Sequence, residues 1–210
     1  MKQIQNDRHT TLRCFLGMAL ERTKTGYKFH QKAYIDALLP KNGMTESHDA
    51  KTPIEIHTQL EISGRDIDAP VDQKAYLAIV GSLMYAALGT RPDISYVISF
   101  LSRYNSDPRT WHLTAAKRVL RYLKKTKHLK LVYKQIGRKL QGFVDSDWAS
   151  EKDRKSVGRY IFSLSGVAVS WGSRSKTWWP YLLKKQNSLH LPKEAGRSYG
   201  SDKSYWIAAS

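Results

Sequence analysis

Cysteine is almost absent from this sequence, since Cys14 is the single one among 210 residues. An intramolecular disulfide is therefore excluded, as is any zinc site that depends on several thiolates. The seven histidines also lack metal-site spacing, so no metal or other cofactor is expected. Because small secreted domains usually depend on disulfides, the composition is typical of a protein made for a reducing compartment.

Long apolar runs are lacking too. The run Cys14-Phe15-Leu16-Gly17-Met18-Ala19-Leu20 is far shorter than the roughly 20 residues of a membrane span, so we expect no membrane partner. A signal peptide would continue with small residues at a cleavage site. Here the charged segment Glu21-Arg22-Thr23-Lys24 follows, which makes a poor leader for secretion.

Acidic residues are scarce relative to basic ones. Lys and Arg number 35 against 18 Asp and Glu, which gives a net charge of +17. Such an excess attracts polyanions, so nucleic acid is the expected class of partner. A basic surface that only keeps the chain soluble is the alternative.

The 41% of hydrophobic residues suffice for the core of one medium domain or two small ones.

The spacing of apolar residues and breakers predicts the N-terminal elements. Residues 12–20 and 26–30 are expected to form two strands of a hairpin around a Lys-Thr-Gly turn. A helix is predicted over 31–39, ended by Pro40. Residues 43–73 contain several turn-forming residues and little periodicity, so we expect an irregular connector, the best candidate for a linker.

Helices dominate the middle of the chain and strands follow. Apolar helices are predicted over 76–88 and 94–104, with Asp93 as a capping residue of the second. The clearest element is an amphipathic helix over 111–125, in which apolar residues recur at 3.6 spacing and cations occupy the other face. Strands are predicted at 130–134, 140–145, 159–164 and 167–171.

Several ordered motifs carry a family resemblance. They are Val80-Gly81-Ser82-Leu83-Met84-Tyr85, Thr90-Arg91-Pro92-Asp93-Ile94, Leu101-Ser102-Arg103, Ala115 to Leu123, and Gly142 to Ala149. Together they resemble the Ty1/copia-type retrotransposon Pol polyprotein over roughly residues 12 to 177. The resemblance implies an α+β fold, in which a helical connection region precedes an incomplete ribonuclease H-like sheet. It divides the chain into a reverse transcriptase connection-like region (1–134), the first ribonuclease H-like strands (135–177) and a divergent tail (178–210).

The resemblance also implies that catalysis is absent. Both activities of this family use two metal ions held by carboxylates. The polymerase pair would lie just before Leu16-Gly17-Met18, where the sequence offers Asp7 alone. Asp145 matches the first ribonuclease H carboxylate and is expected to be vestigial. Lys185 stands where the family has the second, and Arg159 replaces a family glycine, so we expect no enzyme; a weak residual metal site at Asp145 and Asp147 is the alternative to two solvated acids.

A frameshift accounts for the divergence of the tail. Residues 178–190, back-translated with permitted codons and translated one nucleotide earlier, give Ser-Ser-Lys-Glu-Ala-Glu within the family's helix start. The coding sequence would have to use those codons. Residues 178–210 are therefore interpreted as a frameshifted tail.

Two functions in different classes remain open. In the first, the chain is a relic with residual nucleic-acid binding, because a basic stripe on and just after the predicted 111–125 helix would contact phosphates, with Trp111, Tyr122 and Trp148 nearby in sequence. A solvated helix face is the simpler alternative. The relic would be nuclear or cytoplasmic. The stripe comprises Lys117, Arg121, Lys124, Lys125 and Lys127.

In the second, the chain is an effector. Arg118-Val119-Leu120-Arg121 spells R-x-L-R, and the sequence resembles copia-like chains catalogued as secreted RxLR effectors of oomycete plant pathogens. Such an effector would enter the host nucleus or cytoplasm, bind host plant proteins and elicit cell death without catalysis. The motif lies within a predicted helix, with Val119 and Leu120 expected to be buried. For an expressed product, the effector interpretation nevertheless leads.

Overall fold

The computed structural model describes residues 14–55, 69–134, 140–147, 157–175 and 204–207. It is an α+β structure with two antiparallel sheets, which confirms the predicted α+β class. The first sheet contains β1 (Cys14–Phe15), β2 (Met18–Thr23), β3 (Gly26–His30) and β4 (Leu131–Lys134). The helices are α1 (Lys32–Lys41), α2 (Gln73–Gly89), α3 (Ser95–Leu101) and α4 (Thr110–Thr126). The second sheet contains β5 (Gln141–Asp147), β6 (Val157–Leu164), β7 (Val167–Ser175) and β8 (Ser204–Ile207).

The predicted strand over 12–20 is wrong at its centre, because the chain reverses there. Leu16 and Gly17 both adopt positive φ, at 49° and 74°, and they separate β1 from β2. The Tyr85 hydroxyl of α2 donates to the Leu16 carbonyl at 2.6 Å. A Cβ at position 17 would overlap this hydroxyl, so the turn needs glycine both for its backbone conformation and for space.

Two predicted helix ends are also corrected. Pro40 does not end α1 but occupies its last turn, where the missing N–H costs one hydrogen bond at a fraying end. The predicted 94–104 helix is a short α3 between two 3₁₀ turns, 92–94 and 102–104. Asp93 makes no capping bond to α3, because its carboxylate binds the guanidinium of Arg91 instead.

The hydrophobic core lies between the four helices. The Tyr76 hydroxyl of α2 donates to the Leu101 carbonyl of α3 at 2.8 Å, which satisfies the one polar atom of a fully buried ring. Burial raises the pKa of Tyr76 above its ordinary range. Among the described residues, no helix combines the length and apolar character needed to cross a bilayer. The largest fully buried apolar side chains include Ile35, Tyr76, Leu83, Ile98, Leu101, Leu120 and Leu123.

The second sheet, in the order β7-β6-β5-β8, packs against the helices through β7. Side-chain donors reach backbone carbonyls across this junction. Trp171 Nε1 donates to the Ala87 carbonyl at 2.8 Å, and the Ser99 hydroxyl donates to the Ser173 carbonyl at 2.7 Å. Strand β8 comes from the predicted divergent tail and pairs antiparallel with β5.

Candidate nucleic-acid interface

Helix α4 is positioned at its N-terminal end by a histidine. The Arg109 N–H donates to Nδ1 of His112 at 2.8 Å, so an imidazole nitrogen takes the place of the glutamate or glutamine oxygen at the third position of a capping box. The His112 ring contacts those of Tyr104 and Trp111, with both centroids 3.8 Å away, and these two rings also meet each other edge to face at 5.7 Å. The first turn of α4 is therefore fixed by an aromatic cluster as well as by hydrogen bonds.

The other end of α4 is held by the buried guanidinium of Arg91, whose side chain is 2% exposed. It donates to both carboxylate oxygens of Asp93, at 2.6 and 3.0 Å, and to the carbonyl and hydroxyl oxygens of Thr126. A cation at a helix C-terminus also complements the helix dipole. The Tyr122 hydroxyl donates to Asp93 at 2.8 Å; burial, followed by this bond to a carboxylate, raises the pKa of Tyr122.

The predicted connector is irregular over 45–55, as expected, but this part is not a free linker because it lies along α4. We call residues 45–55 the strap. The Lys124 Nζ donates to the carbonyls of Thr45 and Ser47, both at 2.7 Å. Further along, Arg118 donates to the Thr52 hydroxyl at 3.2 Å and pairs with Glu55 at 2.5 Å. The strap thus runs antiparallel to α4 across two of its cations.

The predicted basic stripe is divided by these contacts. Lys124 bonds the strap, and Lys127 pairs with Asp36 of α1 at 2.7 Å. The three other cations follow one another at four-residue spacing along the solvent side of α4, and we call them the ridge. Lys117 and Lys125 are exposed and Arg121 is half-buried. No hydrogen bond or ion pair joins their side chains to the described part of the chain. The ridge comprises Lys117, Arg121 and Lys125.

The R-x-L-R residues are separated by the helix into two environments. Val119 and Leu120 are fully buried in the core, as predicted. Arg118 is 23% exposed and held by the strap, while Arg121 belongs to the ridge. In the folded chain the four residues therefore form no continuous exposed segment.

The predicted aromatic neighbours are engaged within the fold. Trp111 packs against His112, and Tyr122 bonds Asp93 beneath the guanidinium of Arg91, which lies 5.4 Å from its ring centroid. Trp148 lies outside the described residues. Base stacking therefore gains no support from Tyr122, whose hydroxyl and ring face both have partners.

Asp145, the residue predicted to be a vestigial ribonuclease H carboxylate, lies in the second sheet. Asp145 is a residue of β5, where its backbone pairs with Arg159 of β6 and with Ser204 of β8. The side chains of Asp145 and Asp147, and the whole of Lys185, lie outside what the structure describes. Among the described residues, no three His, Cys, Asp or Glu side chains converge as a metal site would require.

Two features of this interface were not predicted from the sequence. The strap was interpreted as a linker. Its acidic charge, from Glu46, Asp49 and Glu55 against one lysine, is complementary to the cations of α4 and could have indicated the contact. The role of Arg91 in holding the end of α4 gave no local signal, since Thr126 lies 35 residues away.

Known proteins resemble this chain over most of its length. It is 37% identical over 171 residues, 80% of the chain, to the Retrovirus-related Pol polyprotein from transposon RE1 of Arabidopsis thaliana. It is 36% identical over 168 residues to the Pol polyprotein from transposon TNT 1-94 of Nicotiana tabacum. The chain spans only 11% and 12% of the length of these two relatives.

A shorter relative carries the name of an effector. Secreted RxLR effector protein 161 of Plasmopara viticola is 43% identical over 103 residues, which cover 48% of this chain and 72% of that protein. No protein-family model and no solved structure matches the chain. The two long Pol matches bear out the sequence motifs, and the chain belongs to the Ty1/copia-type retrotransposon Pol family.

Proposed function

We propose that this chain is a non-catalytic portion of a copia-type Pol protein that binds nucleic acid through the ridge of α4. The observation that carries the proposal is the ridge itself. Three cations at four-residue spacing lie on the solvent side of a helix whose two ends and inner face are fixed. Because the backbone that carries these cations is already fixed, only their side chains lose conformational freedom when they meet a row of phosphates.

The absence of catalysis is argued from the carboxylates. Two-metal hydrolysis needs several acids that converge on the ions. Asp145 matches the first acid of the family's ribonuclease H set, and Lys185 stands in place of the second. We interpret β5, β6 and β7 as the opening strands of a ribonuclease H-like sheet. On this proposal, residues 1–134 are the connection-like region, 135–177 the incomplete ribonuclease H-like part and 178–210 the frameshifted tail.

The binding would be electrostatic and independent of base sequence. Lysine and arginine contacts to phosphates release counterions, so the logarithm of the affinity falls with the logarithm of the salt concentration, by about 0.9 per phosphate for duplex DNA. Three ridge contacts therefore predict a contribution of about 2.7 to that slope. The net charge of +17 adds long-range attraction.

The test is a titration of a short mixed-sequence DNA duplex between about 50 and 200 mM salt. The triple variant Lys117→Ala, Arg121→Ala, Lys125→Ala should lose about 2 to 3 units of salt slope. A control with the same change of charge, Lys32→Ala, Lys41→Ala, Lys74→Ala, removes three exposed lysines from α1 and α2 and should keep the slope. An equal loss of salt slope in both variants would mean that the ridge contributes only through the net charge of the chain, and would contradict the proposal.

Secretion as an RxLR-type effector is the second candidate function, favoured by the relative of that name in Plasmopara viticola. The protein would then act in the nucleus or cytoplasm of a plant host cell by binding host proteins, and otherwise it would be nuclear or cytoplasmic. Because Val119 and Leu120 are buried, the motif is accessible only in an unfolded chain. Expression in a leaf, with and without Arg118→Ala and Arg121→Ala, should give cell death that depends on both arginines; the same death from both proteins, or none, argues against the motif.

A further inference from the structure

We infer that the phosphate-binding surface of α4 comprises five cations rather than three, and that the strap covers two of them, Arg118 and Lys124, until a nucleic acid displaces it. This inference rests on the proposed function and extends its surface. The strap is thus a competitor of nucleic acid that belongs to the chain itself.

The two covered cations are poorly satisfied by the strap. Lys124 donates to two neutral carbonyl oxygens, so its charge meets no opposite charge there. Arg118 pairs with Glu55, whose side chain is 61% exposed, and its Nε is buried without a hydrogen-bond partner. A phosphate offers charged oxygens that bind guanidinium and ammonium groups more strongly than neutral acceptors do. Lys124 therefore gains a charged partner when a phosphate replaces the strap, and Arg118 exchanges one exposed carboxylate for a phosphate without losing an ionic partner.

The strap is also weakly attached. It contains no helix or strand, and of its residues only Ala50 is buried, while Ile54 packs partly buried against the core. The bond from the Ala50 N–H to the Arg121 carbonyl is long, at 3.5 Å. Segments with few buried apolar contacts and few backbone hydrogen bonds open locally at low free-energy cost. Its residues can therefore leave α4 without unfolding the core.

The charge of the strap matches the surface that it covers. Three acids and one lysine give it a net charge of −2 with His48 neutral, and it lies over the most cationic helix of the described chain. Lys127 provides an internal contrast. It is bound by the carboxylate of Asp36 from α1 rather than by the strap, so displacement of the strap leaves it paired.

The first experiment compares Lys124 of α4 with Lys127, which directly follows the helix, by the salt dependence of binding to the DNA duplex. Lys124→Ala should reduce the slope by about 0.9, as the loss of one phosphate contact requires. Lys127→Ala should leave the slope unchanged. If neither variant changes the slope while the ridge variant does, the strap stays on α4 and the inference is wrong although the proposed function stands.

The second experiment measures the strap directly by hydrogen exchange of the wild-type chain with and without the duplex. Amides of residues 45–55 should exchange faster in the complex, and unchanged or slower exchange would overturn the inference. Glu55→Gln should tighten binding several-fold at constant salt. Its control is Asp107→Asn, which removes an equally exposed carboxylate from a pair with Arg109 and should not. Absence of binding by the wild-type chain and by Glu55→Gln would instead refute the proposed function itself.

Discussion

The helical layer and the second sheet are held together by different forces. The buried apolar cluster lies between Ile35 and Leu123, within the helices and the segment after α1. In the second sheet, Ala168 is the one apolar residue that is buried among the described side chains. That sheet is joined to the helices mainly by hydrogen bonds from side chains to carbonyls and by the guanidinium of Arg159, 4.1 Å above the Tyr96 ring centroid. Burial stabilises the helices, and polar contacts dock the sheet.

The largest effect should come from a truncation in the helical core. Leu120→Ala removes a fully buried side chain and should lower the free energy of unfolding by about 2–5 kcal/mol, because a cavity adds to the lost transfer free energy. Leu164→Ala in the second sheet, where the side chain is 44% exposed, should change it by less than about 0.5 kcal/mol. Urea unfolding followed by circular dichroism measures both changes. Similar losses of unfolding free energy would contradict the difference between the helical layer and the second sheet.

A somewhat smaller effect is expected at the buried cation of the helical layer. Arg91→Ala leaves Asp93 and the end of α4 without their partner, and should lower the free energy of unfolding by about 2–3 kcal/mol. This is below the full value for a buried pair because the carboxylate is partly solvated. The control Asp107→Asn disrupts an exposed pair and should cost less than about 1 kcal/mol. Thermal unfolding measures both effects, and equal melting temperatures of the two variants would contradict this prediction.

The junction itself should respond locally. Trp171→Phe removes the indole N–H that donates to the Ala87 carbonyl, which is expected to cost about 0.5–1.5 kcal/mol. Hydrogen exchange should accelerate in β6 and β7, with α2 and α4 unchanged. Acceleration throughout the helices would mean that the sheet and the helical layer unfold as one cooperative unit.

The smallest effect concerns the first sheet and depends on pH. Hydrogen bonds from Lys130 and then from His30 hold the pKa of the Glu21 carboxyl below its ordinary value. A lowered pKa contributes stability that is present above the ordinary pKa and is lost as pH falls through the lowered one. The melting temperature of Glu21→Gln should thus lie slightly below that of the parent at neutral pH, and the two should converge under acid conditions. A constant difference across the titration would exclude the carboxylate as its source.

Elements with strong local patterns could be predicted from the sequence, and features that depend on distant residues could not. Helix α4 follows from 3.6-residue spacing alone, and its predicted bounds are off by a single residue at each end. The reversal at Leu16 depends on Tyr85, 69 residues away. The strap depends on Lys124, 79 residues beyond Thr45. Local propensity describes neither contact, because each is set by tertiary packing.

The buried centre of the R-x-L-R string bears on how short motifs are interpreted. In an amphipathic helix, positions i and i+3 share a side while position i+2 faces away from them. A helix with a basic outer face and leucine on its inner face therefore produces the pattern R-x-L-R from helical geometry alone, as residues Arg118 to Arg121 do. Such a string then reflects only which side chains are buried and which are exposed. Solvent accessibility is the criterion by which such a string is distinguished from a signal.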